Sequence, residues 1–256
     1  MRISLLILLA LVCIPVASGA GPWLGTASNG VAGYTADVHG TTTSVGDGAR
    51  HTLSLDGRWG LPRVTLDNGV GGLSADGRTL VLAQDFEATG ALRSRSSFVV
   101  LGTKPLRVKQ TVRLDGDFGF DALSPHGRML YLIQHVSAED LFQYRVRAYD
   151  LQTGKLLKRV VADRRQRDWN MNGYPVARAE SAGGRWVYTL YSNPNNYPFV
   201  HALDTVERTA VCIGIPWDWT TNEREINSSS LTVRGDKLAI GDTFVLDRTT
   251  FKVTKP

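Results

Sequence analysis

Short apolar runs bounded by turn residues recur along the whole chain. TLVLA (79–83), MLYLI (129–133), WVYTL (186–190) and KLAIG (237–241) are rich in β-branched and aromatic residues and too short for helices, so each reads as a strand. A turn ending in glycine precedes each of them. The full copies are ASNGVAGYTA (27–36), LSADGRTLVLA (73–83), LSPHGRMLYLI (123–133), ESAGGRWVYTL (180–190) and LTVRGDKLAIG (231–241). Their turn glycines, Gly30, Gly77, Gly127, Gly184 and Gly235, lie 47, 50, 57 and 51 residues apart. A period near 50 with several strands per unit is the signature of blades arranged around an axis.

A second hairpin follows in each unit: 51–64, 97–112, 145–161, 199–215 and 243–253. Four of these carry an aspartate at the turn, Asp56, Asp150, Asp204 and Asp247. An aspartate there can accept from backbone N–H groups two residues on and fix the turn. The second copy has Gly102 instead, so its turn should be held differently. Each unit therefore reads as strands A and B, a variable loop, then strands C and D. The second unit runs 70–74, 79–84, 96–102 and 106–113. No stretch of the mature chain has a helical repeat, beyond one turn's worth at 163–172. Residues 21–27 are the natural candidates for a strand that closes the last blade.

The pairing of LSADGRTLVLA-type and AYDLQTGKLL-type hairpins resembles the YVTN and WD40-like repeats of secreted bacterial proteins. That resemblance covers nearly all of the mature chain and implies an all-β protein, a β-propeller of about five four-stranded blades. The Gly-His and Trp-Asp marks of eukaryotic WD40 repeats are absent. Some proteins with such repeats are lactonases with a site in the central channel, but none of their catalytic residues can be placed in this sequence. The shared motifs build blades and do not specify function.

The N-terminus changes the picture of where the protein works. Arg2 precedes a nearly unbroken apolar run over 3–16, followed by Ala17, Ser18, Gly19 and Ala20. This reads as a signal peptide over 1–20; the run is too short for a spanning helix, which needs about 20 residues. Residues 21–256 then form a single domain, secreted or held in the bacterial cell envelope, with no transmembrane span. Only Cys212 remains after cleavage, so no internal disulfide is available and Cys212 reads as a small buried hydrophobe.

In a propeller the B–C and D–A loops emerge on one face. The unusual loops of this chain, 85–95, 136–143, 163–176, 192–198 and 214–226, all fall there, which makes that face the candidate working surface. Three loops combine rings with polar groups. The first holds Arg164, Arg165, Arg167, Trp169, Asn170 and Tyr174; the second Asn196 and Tyr197; the third Trp217, Asp218, Trp219 and Glu223. Flat rings beside amides and carboxylates suit a glycan or a protein partner. Residues 144–167 hold eight basic side chains and two acidic ones, against a net charge of +5 for the whole chain. The positive excess therefore sits in one blade and its exit loop and could attract an anionic envelope polymer.

On the inner strands, Asp121 in FGFDALS and Arg178 with Glu180 in VARAES face a crowded centre and need partners. An Asp121–Arg178 contact between the third and fourth blades is expected. A channel site would add His135 or His201. No nucleophile elbow, zinc-binding helix, phosphate loop or EF-hand occurs. The histidines show no metal-ligand spacing, no cofactor is implied, and an exported chain without a nucleic-acid motif is a poor nucleic-acid binder. Three readings stay open: a non-catalytic binding module using the loop face, a ligand-free scaffold, and a lactonase-like hydrolase working in the channel.

Overall fold

The computed structural model describes residues 26–30, 32–48, 51–66, 69–84, 91–163, 165, 170–193 and 197–256, apart from the side chains of 219–221. Five antiparallel sheets follow one another along the chain. Blade one is β1 (Ala27–Ser28), β2 (Gly33–His39), β3 (Thr42–Gly46) and β4 (Thr52–Asp56). Blade two is β5 (Trp59–Gly60), β6 (Thr79–Gln84), β7 (Arg95–Thr103) and β8 (Leu106–Asp115). Blade three is β9 (Phe118–Leu123), β10 (Met129–His135), β11 (Gln143–Asp150) and β12 (Lys155–Leu156), with β13 (Met171–Asn172) also paired to β11. Blade four is β14 (Tyr174–Glu180), β15 (Trp186–Ser192), β16 (Phe199–Asp204) and β17 (Thr209–Gly214). A helix, α1 (Trp219–Ser228), leads into blade five: β18 (Leu231–Arg234), β19 (Lys237–Ile240), β20 (Phe244–Asp247) and β21 (Val253–Thr254).

The A–B turns of the three middle blades share one construction. Ser74, Ser124 and Ser181 each accept, through the hydroxyl, the N–H of the residue five positions on, at 2.9–3.0 Å. Gly77, Gly127 and Gly184 donate back to those serines' carbonyls at 2.8–2.9 Å, with φ of +67°, +62° and +72°. Such φ values strain any residue with a Cβ. The C–D turns use the aspartates. Asp150, Asp204 and Asp247 each accept two backbone N–H groups, two and three residues on, through Oδ1. The blade-two turn that lacks the aspartate carries a cis Lys104–Pro105 peptide bond.

Asp56 is different. Its turn does not lie inside a blade: β4 ends there, and Trp59–Gly60 already pairs with Ala83–Gln84 of blade two. The C–D hairpin of blade one is therefore 42–56 and not 51–64. The closing strand expected from 21–27 falls mostly outside the described residues, and Ala27–Ser28 pairs with Gly33–Tyr34 of its own blade.

Burial sorts the blades into two kinds. In blades two, three and four, strands such as β7, β9 and β16 are buried at nearly every position, as sheets covered on both faces must be. In blades one and five burial alternates. Tyr34, Ala36 and Val45 are buried on one face, while Asp37, His39 and Ser54 on the other are exposed. Leu238, Ile240 and Leu246 are buried, while Thr232, Arg234 and Lys237 are exposed. Hydrophobic clusters join blades one to two, two to three, three to four and four to five. Among the described residues none joins blade five to blade one. The outer faces of the end blades are polar caps, as at the ends of other repeat stacks.

The A strands meet at the centre. Asn29 of blade one donates to the Ala75 carbonyl at 2.9 Å, and Asp76 of blade two to the Pro125 carbonyl of blade three at 3.1 Å. Blade two's A strand is interrupted by a hairpin over residues 62–71, pinned by Val64 to Gly69 and Gly71 to Pro62 backbone bonds of 2.8 and 2.9 Å. At its tip Leu66 donates to the Pro175 carbonyl of blade four at 3.0 Å. This hairpin crosses the space between the inner strands of blades two and four and plugs it.

A Cβ on Gly184 would stand 2.6 Å from the Cβ of Ala75, whereas one on Gly235 would meet nothing within 4 Å, although both glycines have positive φ. Gly235→Ala should cost about 1–2 kcal/mol for the left-handed backbone alone, and Gly184→Ala about 2–5 kcal/mol once overpacking is added. Urea unfolding of the two variants measures the difference.

Candidate functional site

The centre of the molecule is tied by one guanidinium. Arg178, on β14, donates through Nη1 to Asp121 Oδ1 at 3.1 Å, through Nη2 to the Asp121 carbonyl at 2.5 Å, and to Thr189 Oγ1 at 3.3 Å. Both side chains are almost fully buried. The inter-blade contact expected from the sequence is present. Asp121 Oδ2 is buried without a partner. Glu180 lies 3.7 Å from Arg178 Nε but is half-exposed and opens the other way, into a cavity of about 380 Å³ beside Val70, Gly71 and the A–B turns.

On the loop-face side of the plug lies a small cavity of about 40 Å³, lined among others by Arg63, Asp121, His135, Phe142, Tyr144 and Tyr174. The hairpin 62–71 separates the two cavities, so Asp121 and Glu180 do not converge on one site. Burial pushes the phenols of Tyr144 and Tyr191 up, which keeps both protonated. Phe142 and Tyr174 sit side by side at the mouth, ring centres 5.6 Å apart. The Tyr174 hydroxyl bonds Asn227 Oδ1 at 3.2 Å.

The wall beside His135 is a charged lock that the sequence did not suggest. Asp117 accepts from Arg93 Nε and Nη2 at 2.9 and 2.5 Å, and His135 Nδ1 lies 3.3 Å away. Burial alone would raise the Asp117 carboxyl, but the hydrogen bonds from His135 and Arg93 and the guanidinium charge outweigh it and hold it well below the ordinary range. The lock ties the blade-two loop to blade three. Its members are 18 and 24 residues from Asp117, too far for any local motif to show.

Outward from the cavity, the polar rim is organised by β11. Arg145 donates to Asn170 Oδ1 at 2.5 Å, and Asn170 passes a bond of 3.1 Å to Gln143. Arg147 donates to Gln134 Oε1 and to the Leu157 carbonyl, each at 2.8 Å, while its Nε is buried without a partner. Among the described residues, neither arginine, nor Lys155, Lys158 or Arg159, pairs with a carboxylate. Burial and then repulsion from Arg145 lower the pKa of Arg147.

The loop residues singled out by the sequence fall into several places. Arg165 is committed to structure: it grips Asp163 at 2.7 Å and donates to the Cys212 carbonyl at 3.0 Å, while Asp163 accepts the Cys212 N–H at 2.9 Å. Together they cap the outer edge of blade four. Burial pushes the Cys212 thiol up to about 12, which makes it unreactive. Arg164, Arg167, Trp169 and Asn196 lie outside the described residues. Tyr197 is strongly exposed. Trp217 corrects the expectation of an exposed ring: it is 3% exposed and packs edge-on against Phe244 at 5.2 Å. The loop that held it is partly helical. Asp218 precedes α1, Trp219 opens it, and Glu223 is exposed on it. The aromatic platform expected from Trp169, Trp217 and Trp219 therefore loses at least one of its three rings.

Five successive antiparallel sheets, four of them four-stranded and the third with a fifth short strand, decide the architecture. The chain is a β-propeller. A solved prolyl endopeptidase supports the fold, with a TM-score of 0.52, 11% identity, and coverage of 93% of this chain and 37% of that one. Two further solved structures align less closely. A Bacteroides uniformis protein assigned as a 6-phosphogluconolactonase gives a TM-score of 0.46 and 16% identity over 90% of this chain and 68% of its own. TolB from Acinetobacter baumannii gives 0.43 and 12% over 91% and 53%. No protein-family model matches the propeller, and no curated protein matches it in sequence. Among the described residues, no group of three acidic, histidine or cysteine side chains could hold a metal ion, and no helix is long and apolar enough to cross a membrane.

Two substitutions test the electrostatics of the centre. Arg178→Met leaves Asp121 buried and unpaired and should lower the unfolding free energy by about 3–5 kcal/mol. His201 is fully buried, and burial lowers its pKa below the ordinary 6.5. The unfolded chain then binds the proton first, so stability present above pH 6.5 is lost as the pH falls below it. Melts from pH 7 to pH 5 should show that loss in the parent and a shallower slope in His201→Leu.

Proposed function

We propose that this propeller is a non-catalytic binding module that takes an anionic polymer, such as an acidic glycan of the cell envelope, on its B–C/D–A loop face. The single observation behind this reading is the Arg145–Arg147 pair. Two guanidinium groups lie on one side of β11, where burial and then the charge of Arg145 lower the pKa of Arg147, with amides but, among the described residues, no carboxylate around them. A fold that needed only edge protection could pair these charges, as it pairs Arg165 with Asp163. An arginine fork left without an anion matches the geometry of carboxylate, sulfate or phosphate groups.

The channel hydrolase is the weaker alternative. Its carboxylates are split between two cavities, and Arg178 already neutralises Asp121 at 3.1 Å. Export of the chain belongs to this proposal as well, since an envelope polymer is met only outside the cytoplasm.

Polygalacturonate serves as a carboxylated probe and dextran as its neutral counterpart. Surface-immobilised polygalacturonate should bind the mature protein, and the Arg145→Gln/Arg147→Gln double variant should bind at least tenfold more weakly, a loss of about 1.4 kcal/mol. Raising the salt from about 0.05 to about 0.5 M should weaken the parent strongly through screening. Equal binding of dextran, or an unaltered double variant, would sink the reading.

A further inference from the structure

We infer that the small cavity on the loop-face side of the plug takes a neutral hydroxylated group, the hydroxymethyl arm or diol of a sugar whose ring lies against Phe142 and Tyr174. This rests on the loop-face reading and adds to it an uncharged contact beside the basic rim.

Size comes first. About 40 Å³ holds two to four water-sized groups and excludes a sugar ring, whereas the space including the open mouth is about 500 Å³. A one- or two-atom arm fits inside, and a ring fits only at the mouth. The mouth carries the two aromatic rings, with centres 5.6 Å apart and planes inclined at 49°. The aliphatic lining from Ile133 and Leu141 suits the C–H surface of a sugar.

Polarity comes next. Asp121 Oδ1 is taken by Arg178, but Oδ2 is buried without a donor in a residue that is 3% exposed and lines the cavity. A buried carboxylate oxygen left unmatched costs free energy that any arriving O–H recovers. Charge then decides the class of ligand. A cation would sit beside Arg63 of the lining, and an anion would face the unmatched, buried oxygen of Asp121. A hydroxyl meets neither penalty. His135 holds Asp117 through Nδ1 at 3.3 Å, which leaves Nε2 as the ring nitrogen available to the cavity it lines. It can serve a second hydroxyl as donor or acceptor according to its tautomer.

Saturation-transfer NMR on the mature protein tests this with methyl β-glucoside, methyl β-galactoside and glycerol as probes. At least one glycoside should bind saturably, with its ring protons and hydroxymethyl protons both saturated. Its affinity should be unchanged by salt, unlike that of polygalacturonate. Tyr174→Ala removes the mouth ring and Leu141→Trp fills the mouth; each should weaken glycoside binding at least tenfold while melting within a few degrees of the parent. No saturable binding by either glycoside means that the cavity holds only water and overturns the inference, even where polygalacturonate still binds. Glycoside binding that both folded variants leave intact overturns it too. Glycerol binding as tightly as the glycosides overturns the role of the ring and leaves a polyol site in its place.

Discussion

A four-stranded sheet has two faces, and each apolar face must find another to cover it. That constraint shapes the whole molecule. Blades two, three and four meet it on both sides, so Phe98, Leu101, Leu130, Tyr131 and Tyr188 are fully buried. Blades one and five meet it on one side only, and their outer strands alternate apolar and polar residues accordingly. These two blades resemble each other in design although their sequences differ: serine, threonine and aspartate dominate on blade one, arginine and lysine with threonine on blade five.

Stacking brings the A strands together, and the plug decides what the centre can do. Leu66 is bonded to Pro175, and Gly71 lies so close to Phe120 that a Cβ would stand 2.9 Å from its ring, so among the described residues the hairpin spans from the inner strand of blade two to that of blade four. The polar groups of the A strands are shared between two separate spaces. The one beneath the loop face keeps Asp121 and His135; the one among the A–B turns keeps Glu180. Acid–base chemistry needs its groups within reach of one substrate atom, and the plug denies Asp121 and Glu180 that reach. Recognition has no such requirement, because rim and cavity can each contribute separately.

Local chemistry was legible in the sequence and topology less so. The serine–glycine and aspartate turns form from residues within five positions of one another, so their patterns carried over directly to 74–79, 124–129 and 181–186. Asp56-Gly57 has the same local chemistry, but whether a turn lies within a blade or between blades depends on pairing with residues about 25 positions away. Helix α1 was hidden for another reason. Of its described side chains only Ile226 is buried, so WTTNEREINS shows no apolar stripe at helical spacing. Trp217 looked like a loop residue because polar neighbours follow it, yet its ring completes the seam between blades four and five. The Asp121–Arg178 tie was readable because two opposite charges stood in adjacent, otherwise apolar A strands. The Arg93–Asp117–His135 lock was not, because all three members sit in loops or at a strand end, where charge is unremarkable.

Among the described residues, the basic rim differs from the arginines that tie blades, turns and edges in what it lacks. Asp117, Asp121, Asp163 and Asp204 each hold an arginine. These pairs bridge blades or secure turns and edges, and their charges are consumed there. Arg147 is desolvated enough for its pKa to fall, has a buried Nε with no acceptor, and has another arginine two residues away. Local conflicts of this kind oppose folding unless something outside the chain resolves them, and they concentrate where a protein meets its ligand. An anion on Arg145 and Arg147 would offset the repulsion between them. Such a ligand would bind more tightly than its own contacts imply, because it also relieves a strain already present in the unbound propeller.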